Sequence, residues 1–243
     1  MPVSADPYRH HPGLRGRIID PQESFFREFR VETILAAHPE LEPIRPHLHS
    51  DATRDANRKA ALDGHMHEDL WVFAYGSLMW DPAFYFSEVR RTFVPQYARR
   101  FILREVYGGR GTKEAPGLMA ALDHGDGCDG LLFKIPQAQI EEETEILWRR
   151  ELVAPGYVPT FVTAQFADQT AQALTFVADH DAEQICGDIS HAEQINCLAN
   201  GAGILGTSLE YLENIVAQFD ALGISDPHCT QLLADARAAQ AAL

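Results

Sequence analysis

The stretch Leu70-Trp71-Val72-Phe73-Ala74-Tyr75-Gly76-Ser77 decides the architecture of this chain. Trp71 to Tyr75 make a continuous apolar run, the pattern of a strand buried on both faces, and Gly76-Ser77 ends it. Working outward, strands are predicted over Thr92 to Val106 with a bend at Pro95, over Leu118 to Leu122, and over Gly130 to Ile135. The last two are joined through the turn Gly125-Asp126-Gly127. Val158 to Phe166 and Ala171 to Val177 continue the series, with Pro159 favouring an edge position. One helix, Gln137 to Leu152, interrupts the strands and three follow them. Ser190 with Glu193 and Thr207 with Glu210 spell capping boxes for two of these, and Asp226-Pro227 starts the third. Segregation of this kind predicts an α+β fold: a mixed, barrel-like sheet with helices packed outside it.

Residues 1–69 have a different texture and are expected to form a helical N-terminal extension ahead of a domain spanning 70–243. Asp20-Pro21 with Glu23 reads as a helix start. Phe25, Phe26, Phe29, Ile34 and Leu35 supply an apolar side for a helix of about four turns ending near Pro39. A polar helix is expected from Ser50 to Gly64, with Pro43 and Pro46 bracketing a turn between the two. The extension is expected to dock or tether without carrying chemistry, so that deleting about sixty-five residues leaves the chemistry largely intact.

Twenty Lys and Arg against thirty-five Asp and Glu give a net charge of −15, which argues against a nucleic-acid partner. The apolar run ending at Trp80 is much shorter than the ~20 residues that span a bilayer, so no membrane association is expected. Residues 1–20 hold no apolar block ahead of a small-residue cleavage site, and the expectation is a cytoplasmic protein. Cys128, Cys186, Cys197 and Cys229 lie far apart, as buried free thiols do. His47 with His49 and His65 with His67 lie in polar surroundings and read as solvated surface. No metal and no cofactor are assigned.

Gly201, Gly203 and Gly206 spell G-x-G-x-x-G, but they follow a helix where a dinucleotide loop must follow a strand. Asn200-Gly201 reads as a helix end and a packed helix-turn-helix is expected. Gly108-Gly109-Arg110-Gly111-Thr112-Lys113 lacks Walker spacing; it is either an Arg-bearing loop that meets an anionic substrate or an ordinary turn. Gly76-Ser77 likewise has two readings, consecutive amides able to hold a carboxylate or a plain strand-to-loop turn. In the helix 137–152, Ile140, Thr144, Leu147 and Glu151 share one stripe. Glu151 on that stripe is either a desolvated general acid or base or a carboxylate paired with Arg104, Arg149 or Arg150.

At these residues the sequence resembles the ChaC family of γ-glutamylcyclotransferases, which act on glutathione. The resemblance rests on Val72 to Trp80, Arg99-Arg100-Phe101, Arg110-Gly111-Thr112, Pro116-Gly117, Leu147-Trp148-Arg149-Arg150-Glu151, Gly156 to Thr160, and Gly203 to Thr207 followed by Tyr211-Leu212. It implies the cyclotransferase barrel with flanking helices. It makes the segment around Tyr75-Gly76-Ser77-Leu78 the substrate loop and Glu151 the acid/base. The block Val72, Phe73, Ala74, Tyr75, Gly76, Ser77, Leu78, together with Tyr157, becomes the expected substrate-binding set. Three positions depart from the family pattern: Ala74 for Gly, Leu118 for Arg and Ser208 for Asn, and these bear on substrate choice.

The implied chemistry needs no cofactor, because a γ-glutamyl amide carries its own nucleophile. Its α-amine closes on the γ-carbonyl to give 5-oxoproline and expels Cys-Gly. One carboxylate of raised pKa can take the ammonium proton and return it to the leaving nitrogen. Cyclotransfer on other γ-glutamyl peptides or amines, and a non-catalytic regulatory protein retaining the fold, are the alternatives.

Overall fold

A computed structural model describes residues 6–242; residues 1–5, within the stretch read for a leader, and Leu243 lie outside the described residues. The apolar run becomes β1 (Leu70–Ala74), in which Val72, Phe73 and Ala74 are fully buried. It is followed by β2 (Glu88–Val94), β3 (Tyr97–Glu105), β4 (Gly117–His124), β5 (Cys128–Ile135), β6 (Tyr157–Phe166) and β7 (Gln169–Ala178). These form one sheet in the order β1-β5-β2-β6-β7-β4-β3. A further parallel pairing of β1 with β7, Trp71 opposite Ala173 and Val72 opposite Leu174, closes five of the strands into a ring. β4 and β3 leave that ring as a flap hung from β7 at Leu122 and Val177. The sheet is mixed and barrel-like, as the run of strands predicts.

Two expectations about connections change. Thr92 to Val106 is not one bent strand: Gln96 takes a positive φ of 68°, and β2 and β3 separate to the ring and the flap. The Gly125–Gly127 turn joins β4 to β5 without pairing them. β5 already has β1 on one side and β2 on the other, so the closed ring leaves β4 no edge to occupy. Pro159 lies where β6 is bonded to β7 only; β2 meets β6 at the far end, Phe93 opposite Gln165. A strand edge is where a residue without an N–H is tolerated.

The expected four-turn helix after Asp20 is absent. Asp20 caps a single 3-10 turn, Pro21–Glu23, by accepting from the Gln22 amide at 2.9 Å. The chain then extends at Ser24, whose hydroxyl donates to Asp81 at 2.6 Å and accepts from the Phe26 amide. That buried tertiary bond overrides helix propensity, and only α1 (Val31–Ala37) remains helical before a 3-10 stretch, Pro39–His47. α2 (Asp51–Ala61) forms as expected under the Ser50 cap. α2 lies on α3 (Ile140–Glu151): Arg58 reaches Glu141 at 2.5 Å and Thr144 at 3.2 Å, and the Trp148 indole donates to Asn57 at 2.8 Å. Leu14, Ile18 and Leu62 join the same core as the ring strands.

After the sheet come α4 (His191–Asn200), α5 (Ser208–Leu222) and α6 (Pro227–Gln240), with both capping boxes present and Asp226 accepting from the Cys229 amide. Gly201, Gly203 and Gly206 build a two-residue hairpin, β8 (Ala202–Gly203) with β9 (Gly206–Thr207). A Cβ at Gly201 would strike the backbone of Gly117, and one at Gly203 the carbonyl of Gly108. The glycines therefore let this hairpin lie against the 108–117 loop. Among the described residues no helix is long and apolar enough to cross a membrane.

Candidate active site

A cavity of about 220 Å³ opens where β1 ends. Side chains alternate along a strand, so Phe73 and Tyr75 face the cavity while Val72 and Ala74 are buried elsewhere in the core. Gly76, Ser77 and Leu78 line it through a 3-10 turn, Ser77–Met79, and Glu151 and Tyr157 complete the group expected from sequence. Val72 and Ala74 do not reach it. The Ser77 and Leu78 amides open that turn and so have no acceptor within it. The base of the loop is fixed from behind by Arg99, whose Nε donates to the Tyr75 carbonyl at 2.6 Å.

Glu151 is the last residue of α3, and its side chain is 14% exposed, toward the cavity. Burial raises its pKa, and the neighbouring Arg150 only partly offsets this. The two readings of Glu151 thus coexist: the carboxylate is desolvated and it is paired, with Arg150 Nε at 3.1 Å. The same guanidinium donates to the Asp81 carbonyl and, at 2.8 Å, to the Ser77 hydroxyl. Arg150 therefore ties the carboxylate to the amide turn.

Three tyrosines surround the carboxylate. Tyr75 donates to the Phe176 carbonyl and Tyr157 to the Ala120 carbonyl, each at 2.8 Å. Burial pushes both hydroxyls well up, and Tyr211 to about 12, so all three stay protonated at neutral pH. A Cβ at Gly76 would lie 2.7 Å from the Tyr211 hydroxyl, so glycine permits this contact between loop and α5.

The 108–113 stretch is more than an ordinary turn. The Glu105 carboxylate accepts from the amides of Tyr107 and Arg110, both at 2.6 Å, and curls the loop so that Arg110 lines the cavity. Burial lowers the Arg110 pKa, but a guanidinium remains cationic. Its side chain donates to the Thr207 carbonyl at 3.1 Å and lies 5.2 Å from the centre of the Tyr211 ring. Among the described residues no carboxylate lies within ion-pair distance of it.

The family described as ChaC-like protein matches residues 70–239. This chain belongs to the ChaC family. It is 33% identical over 165 residues to the glutathione-specific γ-glutamylcyclotransferase of Escherichia coli K12, covering 68% of this chain and 71% of that one. It is 34% identical over 149 residues to the human glutathione-specific γ-glutamylcyclotransferase 1, covering 59% of this chain and 66% of the relative. The fold is shared with a crystal structure of a glutathione-specific γ-glutamyl cyclotransferase from yeast. That match has a TM-score of 0.65 at 20% identity and covers 70% of this chain and 96% of that one.

Two of the departures from the ChaC pattern touch each other. The Leu118 amide donates to the Ser208 hydroxyl at 3.0 Å, and that hydroxyl donates to the Arg110 carbonyl at 3.1 Å. Both residues are fully buried, so they act on the cavity by supporting the Arg110 loop. Ala74 is buried in β1. Sequence reasoning missed Glu105 and Tyr211, and it treated Arg150 only as a partner for Glu151. It also missed the contribution of the extension, whose Phe26 and Phe29 line the cavity; Phe26 lies 4.2 Å from the Arg150 guanidinium. The spacing of Phe25, Phe26 and Phe29 was the available signal, and it was absorbed into a helix that does not form.

The histidine pairs lie outside this group. His65 stacks on Phe161 at 3.8 Å and His47 on Tyr107 at 5.6 Å. Asp226, His228 and Cys229 cluster at the start of α6. There the Asp226 carboxylate already pairs with Arg99 and caps the helix, and burial pushes the Cys229 thiol up. Their donors do not make a set free for a metal.

Proposed function

We propose that this chain is a γ-glutamylcyclotransferase that converts glutathione to 5-oxoproline and Cys-Gly. The observation that carries the reading is the link through Arg150, which joins a carboxylate of raised pKa to a turn with open amides inside one cavity. In this reading the Ser77 and Leu78 amides take the α-carboxylate of the glutamyl group. Glu151 takes a proton from the α-ammonium, the α-nitrogen bonds to the γ-carbon, and the γ-carbon to nitrogen bond of the departing half breaks. The same carboxyl then delivers the proton to the leaving nitrogen. Tyr75 and Tyr157, held protonated, are hydrogen-bonding walls, and Arg110 meets the carboxylate at the far end of the peptide. Neither metal nor nucleotide has a step to perform, because the nucleophile is intramolecular.

The names of the relatives support glutathione as substrate. The four unpaired cysteines suit a reducing compartment, and we place the enzyme in the cytoplasm without a nucleic-acid or membrane partner. Purified protein is expected to release 5-oxoproline and Cys-Gly from reduced glutathione in the presence of a chelator. Silence on every γ-glutamyl compound would reject the enzyme reading, and silence in chelator alone would reject the metal-free route.

A further inference from the structure

Arg150 has a partner at each of its three nitrogens, Glu151 at Nε, Asp81 at Nη1 and Ser77 at Nη2, and its side chain is 3% exposed. All three partners lie within the stretch that matches the family. A fourth contact does not. The ring of Phe26, from the extension, lies 4.2 Å from the guanidinium carbon and meets the cation without taking any of its donors. That ring is fixed from both sides. Ser24 donates to the Asp81 carboxylate at 2.6 Å and accepts from the Phe26 amide at 3.1 Å. After the ring, the Arg27 carbonyl accepts from Arg149 Nη2 at 2.8 Å, and the Arg27 guanidinium reaches Glu143 at 2.9 Å. Glu143, Arg149, Arg150 and Glu151 all belong to α3, so residues 24–27 grip the helix that ends at Glu151.

A guanidinium is a rigid planar fork, so its tilt decides where its hydrogen bonds point. Two of the acceptors of Arg150 belong to the groups assigned to the reaction, the Glu151 carboxylate and the turn that begins at Ser77. A tilt of the plane would therefore shift one against the other. An aromatic ring packed on the cation resists that tilt and keeps water away from it, and the attraction is strongest where the pair is desolvated, as Arg150 is. We infer that Phe26 is a positioning residue for the cyclisation of glutathione: through the Arg150 guanidinium it holds the Glu151 carboxylate in place against the Ser77–Leu78 turn, so that the N-terminal extension completes the active site without touching the reacting atoms; this rests on the cyclotransferase reading. A misplacement of about 1 Å can lower a rate about 10²-fold. The contacts that bind the substrate at the turn amides are left in place, so the loss falls on kcat.

The test measures steady-state 5-oxoproline release from glutathione by the full chain, with melting temperatures showing that each variant is folded. Phe26→Leu keeps an apolar side chain and removes the aromatic face; it should lower kcat about tenfold and leave KM for glutathione unchanged. Phe26→Tyr restores the face and should recover most of kcat. The sensitivity should also vanish with the cation: in an Arg150→Met background, adding Phe26→Leu should cost no further kcat, because the two residues act as one unit. If Arg150→Met leaves no measurable turnover, the Leu and Tyr variants decide the matter by themselves. An unchanged kcat in Phe26→Leu would overturn the inference, as would equal losses in the Leu and Tyr variants. A rise in KM at constant kcat would overturn it too, by making Phe26 a wall that touches the substrate, and so would a full Phe26 effect that survives in Arg150→Met. In each of these cases the reaction itself stands. No product from wild type on glutathione would overturn the reading of the substrate, and this inference with it.

Discussion

The ring of strands and the extension are held together by different forces. β1, β5, β2, β6 and β7 share continuous backbone ladders around a packed apolar core. The extension has few ladders to offer; Leu14, Ile18 and Leu62 join that core, and single polar side chains pin the rest: Ser24 to Asp81, Arg27 to Glu143, Arg58 to Glu141 and Arg9 to Glu88. A ladder distributes stability over many weak bonds, whereas a buried charged anchor concentrates it, since loss of one partner strands the other. The contrast matches the division of labour in the cavity. The groups assigned to the proposed reaction stand on the ring, the flap and their helices, while Phe26 and Phe29, which line the same cavity, stand on the pinned segment.

Glu151→Gln should give the largest effect. The substitution keeps shape and removes proton transfer, so turnover should fall by about 10²–10⁴-fold, the usual contribution of a general acid or base. Stability should move the other way. A folded pKa raised by burial means that Glu151 stabilises the fold only while protonated. That contribution is complete below the unfolded value of roughly 4.3 and is lost as pH climbs through the folded one. The Gln variant should therefore melt no lower than wild type at pH 7, with the difference closing near pH 4. Arg150 keeps Asp81 and Ser77 as partners in the variant. A clear drop in melting temperature at pH 7 would show that the Arg150 pair outweighs burial.

Arg99→Ala cuts the link between the flap, whose β3 carries Arg99, and the ring. Arg99 donates to the Tyr75 and Asp129 carbonyls, pairs with Asp226 at 2.8 Å, and lies 4.4 Å from the Phe219 ring. Removing it strands three acceptors, and the expected loss is about 3–5 kcal/mol in cooperative denaturant unfolding. Arg27→Ala removes the corresponding pin of the extension. Glu143, 1% exposed, would keep the Tyr85 amide at 2.9 Å and lose its cation. Here about 1–3 kcal/mol is expected, accompanied by faster proteolytic cleavage between residues 24 and 48 while the ring stays intact. Simultaneous unfolding of both regions in the Arg27 variant would erase the distinction drawn above.

Much of this was readable in the chain because local signals and tertiary demands agreed. The caps at Ser50, Ser190 and Thr207 and the paired strands within 157–178 satisfy their backbone groups locally or with a chain neighbour, and the Trp71–Tyr75 run is legible from its unbroken apolar pattern although β1 pairs with the distant β5 and β7. Glu151 could be placed on an inward stripe by helical spacing alone. What was not readable depends on partners distant in sequence. Ser24 leaves a helix for Asp81, fifty-seven positions away, and β4 loses β5 to a ring that closes through β1 and β7. Glu105 looks like an ordinary strand-end carboxylate until the amides of Tyr107 and Arg110 close on it. The expectation that the first sixty-five residues are dispensable for chemistry also took no account of Phe26 and Phe29, because no local pattern says which cavity an aromatic side chain will line.

The smallest effect separates the two regions most directly, through two helix caps of the same chemistry. Ser190 caps α4 in a reciprocal box with Glu193, and Ser50 caps α2 by accepting from the Thr53 amide at 3.1 Å. Each should matter locally to a similar degree, as side-chain oxygens at this position generally do. α4 packs on the flap and on the helices behind it, so Ser190→Ala is felt by the cooperative unit and should lower the melting temperature by about 2–4 °C. α2 belongs to the pinned segment. If that segment opens before the ring melts, Ser50→Ala should leave the global midpoint within about 1 °C and speed hydrogen exchange at the amides of residues 51–61. An equal fall in melting temperature for the two variants would instead mean that Leu14, Ile18 and Leu62, which share the ring's core, bind the extension into one cooperative structure with it.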